Sequence, residues 1–132
     1  MVLVDTSVWV RFLANRAPHA AELDRLLEED EVAGHHLIPG ELLIGDAGGR
    51  QQFLRWYEAM YYLPSISHTD VVTFVRAHRL YGSGIGWVDA HLLASAVVTA
   101  VPLWTADASL AKMANRFGVA HGPSAGSDGR SA

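Results

Sequence analysis

The chain alternates short, wholly apolar runs with longer segments in which apolar residues recur every three or four positions. Its first run, Val2–Val4, has no polar alternation, which is typical of a strand covered on both faces in a parallel sheet. A helix is predicted to follow, with Ser7 as its N-cap. The apolar residues of that helix are Val8, Trp9, Phe12 and Leu13. Asp5 therefore lies at the carboxyl end of a strand, the edge of an open α/β sheet where ligands bind.

The same alternation continues to the end of the chain. Further strands are predicted within residues 32–38, 61–66, 103–105 and 119–120. Helices are predicted over residues 19–31, 41–44, 51–60, 86–101 and 108–117, and after the capping signal Ser67-x-x-Asp70. The helix over residues 86–101 is the most apolar and should pack centrally on the sheet. This order predicts a three-layer α/β/α sandwich around a mainly parallel sheet.

Length and composition indicate one domain. The chain has 132 residues, half of them hydrophobic, which suffices for a single core. Residues 122–132 consist mainly of Gly, Ser and other small residues that bury little surface. We therefore expect a domain over residues 1–121 and a flexible C-terminal tail over residues 122–132.

Several classes of protein are disfavoured by the same composition. Without cysteine the chain has neither a disulfide framework nor a thiolate metal site. The first apolar run stops at Asp5, too early for a signal peptide. The longest apolar segment, residues 92–103, contains Ser95, Thr99 and Pro102 and is shorter than the roughly 20 residues that a bilayer requires. We expect a cytoplasmic protein that does not insert into membranes.

Four carboxylates follow or begin the predicted elements at one kind of place. Asp5 and Asp107 follow the first and the 103–105 strands, Glu41 follows the second, and Asp89 lies in the first turn of the most apolar helix. Each also has a local explanation, as a helix cap or as a first-turn acid favoured by the helix dipole. Because the carboxyl ends of parallel strands meet at one edge, we expect the four side chains to converge.

A cluster of four acids is unfavourable without a cation. Two carboxylates about 4 Å apart repel by roughly 4 kcal/mol at an effective dielectric constant near 20, and each raises the pKa of the other. A divalent cation removes this repulsion, and oxygen ligands favour Mg²⁺ or Mn²⁺. Such an ion can activate water and stabilise charge on a phosphodiester. The hydroxyls of Thr6, Ser7 and Thr105 would support the ligands from behind, although local capping explains them equally well.

Other candidate sites are weaker. The seven histidines include no His-Glu-x-x-His motif, and His35 and His36, if they lie in a strand, point to opposite faces. His91 projects from a different side of its helix than Asp89. No glycine-rich nucleotide fingerprint or nucleophile elbow is present.

The acidic positions lie in four motifs that resemble the ordered signature of PIN domains, and more narrowly that of VapC toxins. These motifs are Val4-Asp5-Thr6-Ser7, Gly40-Glu41-Leu42, the segment from Gly86 to Ala96 with the sequence GWVDAHLLASA, and Thr105-Ala106-Asp107. The resemblance extends from Met1 to about Ala120. It implies a PIN-like sandwich and a metal-dependent endoribonuclease.

The resemblance also implies the chemistry. Asp5, Glu41, Asp89 and Asp107 would form the catalytic metal site, and Mg²⁺ or Mn²⁺ would be the cofactor. Activated water would attack an RNA phosphodiester, in tRNA or rRNA in many relatives, and leave 3′-hydroxyl and 5′-phosphate ends. The chain would therefore be a hydrolase and the toxin of a type II toxin–antitoxin pair.

Partners follow from the same resemblance. VapC-like proteins usually form homodimers and are silenced by a VapB-like antitoxin whose tail crosses the active-site groove. An apolar groove for this partner, or simply core packing, would account for six residues: Trp9, Phe12, Leu13, Leu23, Leu26 and Leu27.

The basic residues present a weaker pattern. A formal net charge of −4 argues against binding of nucleic acid by bulk electrostatics but allows a local basic surface. Similar relatives often carry a basic residue just after the last Asp, where this chain has Ala108, which puts one substrate contact in doubt. The candidates for RNA phosphates, each of which is also explained as a solvated surface charge, are Arg11, Arg16, Arg76, Arg79, Lys112 and Arg116.

Two other functions remain open on the sequence. The chain could be a catalytically silent PIN-like module that binds RNA or a partner, although such a module has no need to gather four acids. It could also be a structure-specific DNA nuclease of similar fold, although its small size leaves no room for added elements that thread a substrate.

Overall fold

A three-stranded parallel sheet lies at the centre of the computed structural model, which describes residues 1–45 and 50–122. The strands are Val2–Val4 (β1), Val32–Ala33 (β2) and Leu103–Trp104 (β3), in the order β2-β1-β3. All three strands are buried, as their continuous apolar sequences predict. Because both pairs are parallel, the residues that follow the three strands lie at the same edge of the sheet.

Seven helices are found in the described residues. They are α1 (Thr6–Leu13), α2 (His19–Glu28), α3 (Ile38–Ile44), α4 (Gln51–Glu58), α5 (His68–His78), α6 (Trp87–Thr99) and α7 (Ala108–Arg116). The predicted α/β sandwich around a parallel sheet is confirmed. No helix in the described part of the chain is long and apolar enough to cross a membrane. Apart from Gly122, the predicted tail lies outside the described residues.

Two predicted strands are reduced to single bridges. Tyr62 pairs with Gly34, and Ala120 pairs with Leu103, without a ladder on either side. At both edges of the sheet the chain makes only a few main-chain hydrogen bonds before it turns away, such as Gly34 N–H to the Tyr61 carbonyl at 2.7 Å. The apolar sequence of these two segments thus predicted that they lie at the sheet, but not how many residues of each pair with a strand.

The starts of two helices differ from prediction. Asp5, not Ser7, is the N-cap residue of α1, and the Ser7 side chain points to other partners. Helix α3 begins at Ile38 and not at Glu41. Pro39 is accommodated because the first turn of a helix has no intrahelical use for its missing N–H group. The cap predicted at Ser67 is confirmed, since its side chain accepts the Asp70 N–H at 3.1 Å.

An aromatic cluster fills the core beneath α1 and α4. Trp9 is fully buried, and its ring lies 5.4 to 6.1 Å from four others: Phe12, Phe53, Trp56 and Tyr57. Leu23 and Leu26 of α2 are also buried. Of the two explanations considered for these apolar residues, core packing is therefore correct for Trp9, Leu23 and Leu26, and the groove is not.

Helix α6 is buried over residues 90–96 and carries a polar contact into the core. The fully buried His35 ring contacts the Ser95 hydroxyl through Nε2 at 3.1 Å, and its Nδ1 accepts the Leu37 N–H at 3.2 Å. His35 and His36 lie in the turn after β2, not within a strand, and their rings stack at 4.6 Å. The prediction that they point to opposite faces is therefore wrong.

Burial keeps His35 uncharged. Desolvation, with smaller contributions from His36 and His91, lowers the pKa of His35 from its ordinary value of 6.5 to about 4. The unfolded chain therefore binds a proton that the folded chain does not, between pH 6.5 and pH 4. The contribution of neutral His35 to the free energy of unfolding is fully present above pH 6.5 and is lost as the pH falls through this window.

We predict that this histidine contributes about 3 kcal/mol of destabilisation at pH 4 relative to pH 7. The free energy of unfolding, measured by urea denaturation between pH 7 and pH 4, should fall less steeply in His35→Gln than in the unsubstituted chain. Equal slopes for the two proteins would show that His35 does not carry the proton linkage.

Candidate active site

Asp5 is a buried carboxylate held by two hydroxyl groups. It follows β1 and is only 4% exposed. Its Oδ2 accepts hydrogen bonds from Ser7 Oγ at 2.7 Å and from Thr105 Oγ1 at 2.8 Å. Each hydroxyl in turn accepts a main-chain N–H, Ser7 from Ala106 at 2.9 Å and Thr105 from Asp107 at 3.0 Å. The carboxylate is thus fixed between the start of α1 and the end of β3.

Glu41 reaches the same edge from α3. Its Oε1 accepts a hydrogen bond from Thr6 Oγ1 at 2.5 Å, so the first residue of α1 holds the second carboxylate. The three hydroxyl residues predicted to support the acids, Thr6, Ser7 and Thr105, therefore all contact one of them. None of the three caps a helix through its side chain.

Asp89 lies in the first turn of α6, and its Oδ2 accepts the Gly86 N–H at 3.2 Å. Burial is the main cause that raises the pKa of Asp89, to about 6, against the opposing hydrogen bond from Gly86. The charges of Asp5, Glu41 and Asp107 raise it further. All three other acids are therefore near enough to Asp89 to repel its ionised form.

Asp107 has a structural task as well. It is the N-cap of α7, and its Oδ2 accepts the Leu110 N–H at 2.9 Å. Its own N–H bonds to the hydroxyl that holds Asp5. The local explanation considered for Asp107 is therefore correct, and it coexists with a position at the acidic edge.

The loop before α6 shows a feature that sequence patterns did not identify. Gly84 has φ +87°, and a Cβ at this position would lie 2.8 Å from Ser109 Oγ in the first turn of α7. Only glycine allows both this backbone conformation and this contact. This contact holds the loop before α6 close to the first turn of α7. It therefore helps to position Asp89 relative to Asp107.

The four acids share an edge but form no closed ligand cage. Within the described residues, none of them pairs with a Lys, Arg or His side chain, and no three His, Asp or Glu side chains are arranged to hold a metal ion. Each carboxylate instead accepts a hydrogen bond from the protein. The donor set consists of oxygens only, which suits a hard divalent cation.

The basic residues differ in their distance from this edge. Arg11 lies one turn along α1 and donates from Nη1 to the Ser7 carbonyl at 2.9 Å. Arg116, at the far end of α7, donates to the His78 carbonyl and lies over the Phe117 ring. Of the predicted phosphate contacts, Arg11 is thus held along α1, and Arg116 lies at the end of α7 opposite to Asp107.

Comparisons with known proteins give one consistent result. The family model described as PIN domain matches residues 2–116. The chain is 41% identical over 121 residues to "Ribonuclease VapC32" from two strains of Mycobacterium tuberculosis, covering 91% of this chain and 95% of the relative. The crystal structure of PAE2754 from Pyrobaculum aerophilum is similar at 18% identity and a TM-score of 0.58, covering 89% of this chain and 94% of that one. The last similarity concerns the fold alone.

We predict that Asp89→Asn stabilises the metal-free protein. Because the folded-state pKa of Asp89 lies above its unfolded value, ionisation destabilises the folded state as the pH rises from about 4 to about 6. Asparagine keeps an acceptor for the Gly86 N–H and removes the charge. In EDTA at pH 7.5 the free energy of unfolding should rise by about 1 kcal/mol, a value reduced for solvent screening.

The pH dependence provides the control. The stability difference between Asp89→Asn and the unsubstituted chain should grow between pH 4 and pH 6 and then remain constant. A variant that is less stable at every pH would assign this carboxylate to holding the fold.

Proposed function

The chain belongs to the PIN-domain family and is a VapC-like ribonuclease within it, and on this premise we propose a metal-dependent mechanism for its acidic edge. In this proposal the protein is the toxin of a type II toxin–antitoxin pair and hydrolyses RNA phosphodiester bonds. Asp5, Glu41, Asp89 and Asp107 hold Mg²⁺ or Mn²⁺ there. The observation that supports the proposal is that the charges of Asp5, Glu41 and Asp107 all act on Asp89, while no cationic side chain of the described residues pairs with any of the four acids.

The donor chemistry fits such an ion. The site offers carboxylate oxygens and no sulfur. Burial is the main cause that raises the pKa of Asp89, and the charges of the other three acids add a repulsion that a divalent cation would relieve. When bound, the ion would supply an activated water and stabilise negative charge on the phosphoryl group. We assign the role of ligand to all four acids.

The residues behind the acids orient them. The Ser7 and Thr105 hydroxyls each donate a hydrogen bond to Asp5 Oδ2. Asp5 Oδ1 takes part in neither bond and can therefore bind a ligand. Thr6 restrains Glu41 in the same way. Arg11 donates one N–H group to the Ser7 carbonyl and has further donors with which it could bind an RNA phosphate.

The partners in this proposal are an RNA substrate, a second copy of the chain and a VapB-like antitoxin in the cytoplasm. An acidic edge without a paired cation suits an antitoxin segment that presents a basic side chain, because that side chain would relieve the same repulsion as the metal. The name of the curated relative, a VapC ribonuclease, supports the toxin assignment.

We predict that the purified protein, free of antitoxin, cuts total cellular RNA in Mg²⁺ or Mn²⁺ and that EDTA abolishes the cuts. Asp5→Asn removes a ligand charge while keeping the volume of the side chain, so it should fold and should lose cleavage by at least about 100-fold. Sequencing of the new 5′ ends measures cleavage and names the target RNA.

Three other results have definite meanings. Equal cutting by Asp5→Asn would indicate a contaminating nuclease. Cutting of single-stranded or branched DNA in preference to RNA would favour the DNA nuclease. Binding of RNA without cleavage in either metal would favour the silent module.

We further predict that Thr105→Val weakens the metal site without removing a ligand. Valine keeps the shape of threonine but cannot donate to Asp5, and loss of such a supporting hydrogen bond typically reduces metal affinity or activity by about 10- to 100-fold. The Mn²⁺ concentration for half-maximal cleavage measures the effect. Thr99→Val is a matched control, because its hydroxyl bonds only to the Ser95 carbonyl inside α6. An identical Mn²⁺ dependence for Thr105→Val and Thr99→Val would show that Thr105 does not support the site.

A further inference from the structure

A large aromatic side chain is exposed at the start of the most buried helix. Trp87 is the first residue of α6 and is 43% exposed, whereas residues 90–96 of the same helix are buried. An exposed indole in the turn that also carries Asp89 is not needed by the core. Tryptophan has a large apolar side chain, and its burial would stabilise the core. The exposure of Trp87 therefore indicates a role outside the core.

Two imidazole rings contact Trp87, and a third, His36, lies in the β2–α3 turn. The exposed His68 ring lies 5.1 Å from the indole, and the buried His91 ring packs edge-on against it at 5.0 Å. His36, also exposed, stacks on His35, and its Nδ1 lies 3.1 Å from Ser65 Oγ. We call His36, His68, Trp87 and His91 the ring patch. It is formed by the β2–α3 turn and by the first turns of α5 and α6.

The indole also borders a small apolar cavity. This cavity, of about 140 Å³, lies between the end of α5 and the start of α6. It is lined by Val75, Leu80, Ile85, Gly86, Trp87 and Ala90. A volume below the 300–1,000 Å³ of typical small-molecule sites suits one planar group rather than a whole ligand.

The ring patch flanks the acidic edge without entering it. Trp87 and Asp89 are two residues apart, so their side chains project about 200° apart around the helix. Glu41 lies on α3, the helix that begins directly after the turn containing His36. A chain that crosses the four acids and continues past the first turn of α6 would therefore meet Trp87 beyond the reacting phosphate.

A metal site does not explain the ring patch. The indole of Trp87 offers no lone pair to a metal, and His36 Nδ1 already lies 3.1 Å from Ser65 Oγ. Stacking of planar rings, in contrast, uses the exposed indole and imidazole faces that the patch presents. Tryptophan and histidine are the side chains on which unpaired bases stack in single-stranded RNA.

The charge of the chain makes such stacking useful. The net charge is −4, and two of the ten basic residues are engaged elsewhere: Arg25 pairs with Glu22 and Glu29, and Arg116 is held at the far end of α7. Phosphate contacts alone therefore provide limited affinity for RNA. Base stacking supplies affinity that does not depend on positive charge.

We propose that the ring patch is a subsite for an unpaired RNA base beyond the cleaved bond, on the other side of the start of α6, with the base stacked on Trp87 and bordered by His68. This subsite rests on the proposed ribonuclease function. It selects single-stranded over duplex RNA, because a paired base cannot leave its stack without an energetic cost. Trp87 and its neighbours position the substrate and take no part in the chemical step.

The test measures binding and cleavage separately. Fluorescence anisotropy of labelled oligo(A) and oligo(U) with the Asp5→Asn protein in Mg²⁺ gives the dissociation constant without cleavage. Adding Trp87→Leu to this protein should weaken binding by about 5- to 150-fold, the range found for loss of one stacked base. In the active protein, Trp87→Leu should raise KM by a similar factor and leave kcat within about 2-fold, because uniform binding energy is lost.

Two controls make the result specific. Trp56, on α4, is 45% exposed and lies outside the ring patch, so Trp56→Leu should leave RNA binding unchanged. Trp87→Phe should retain most of the binding because it keeps an aromatic face. If Trp87→Leu fails to show a cooperative melt, His68→Ala takes its place, since His68 is exposed and lies beside the indole.

The outcomes distinguish this subsite from the proposed function. Unchanged binding and KM in Trp87→Leu, while the unsubstituted protein cleaves RNA, would overturn the subsite alone and leave the patch to a protein partner. Loss of RNA binding in Trp87→Leu, while the unsubstituted protein cleaves nothing, would support the subsite and overturn the nuclease. Equal loss in Trp56→Leu would also overturn the subsite.

Discussion

Two hydroxyl groups tie the buried Asp5 carboxylate between the start of α1 and the end of β3, and the arrangement of the acidic edge depends on this tie. Ser7 and Thr105 are far apart in the chain, yet both donate to the same oxygen and both accept a main-chain N–H from the segment before α7. A buried carboxylate without such partners would be strongly destabilising. The hydrogen bonds therefore make it possible to keep a charge at the end of a central strand, where the other acids meet it.

Two ionisable side chains lower the stability of the folded state in opposite pH ranges. His35 is buried and neutral, which weakens the folded state at acid pH. Asp89 is partly buried and lies near other carboxylates, which weakens the folded state once Asp89 ionises. The cost at His35 belongs to the core, where its ring joins the β2–α3 turn to Ser95 of α6. In the proposed mechanism, the cost at Asp89 would be offset by a bound cation, which relieves the repulsion between carboxylates.

Helix α6 connects these parts of the molecule. Its middle is buried against the sheet, its first turn carries Asp89 towards the acids, and Trp87 projects from the other side of the same turn. The tight contact of Gly84 with Ser109 fixes where this turn begins relative to α7. A rigid helix start thus presents a candidate ligand on one side and a candidate base-stacking surface on the other, at a distance set by backbone geometry.

The sequence by itself determined the alternation of strands and helices and the parallel sheet, and it indicated four candidate acids, because apolar periodicity and the chemistry of strand ends are local properties. Only the tertiary structure decided that Ser7 holds Asp5 instead of capping α1, and that the 61–66 run forms one bridge instead of a strand. The tertiary structure also buried Trp9 in the core and left Trp87 exposed, although both are apolar residues near the start of a helix. Such outcomes depend on contacts between residues far apart in the chain, which no local pattern encodes.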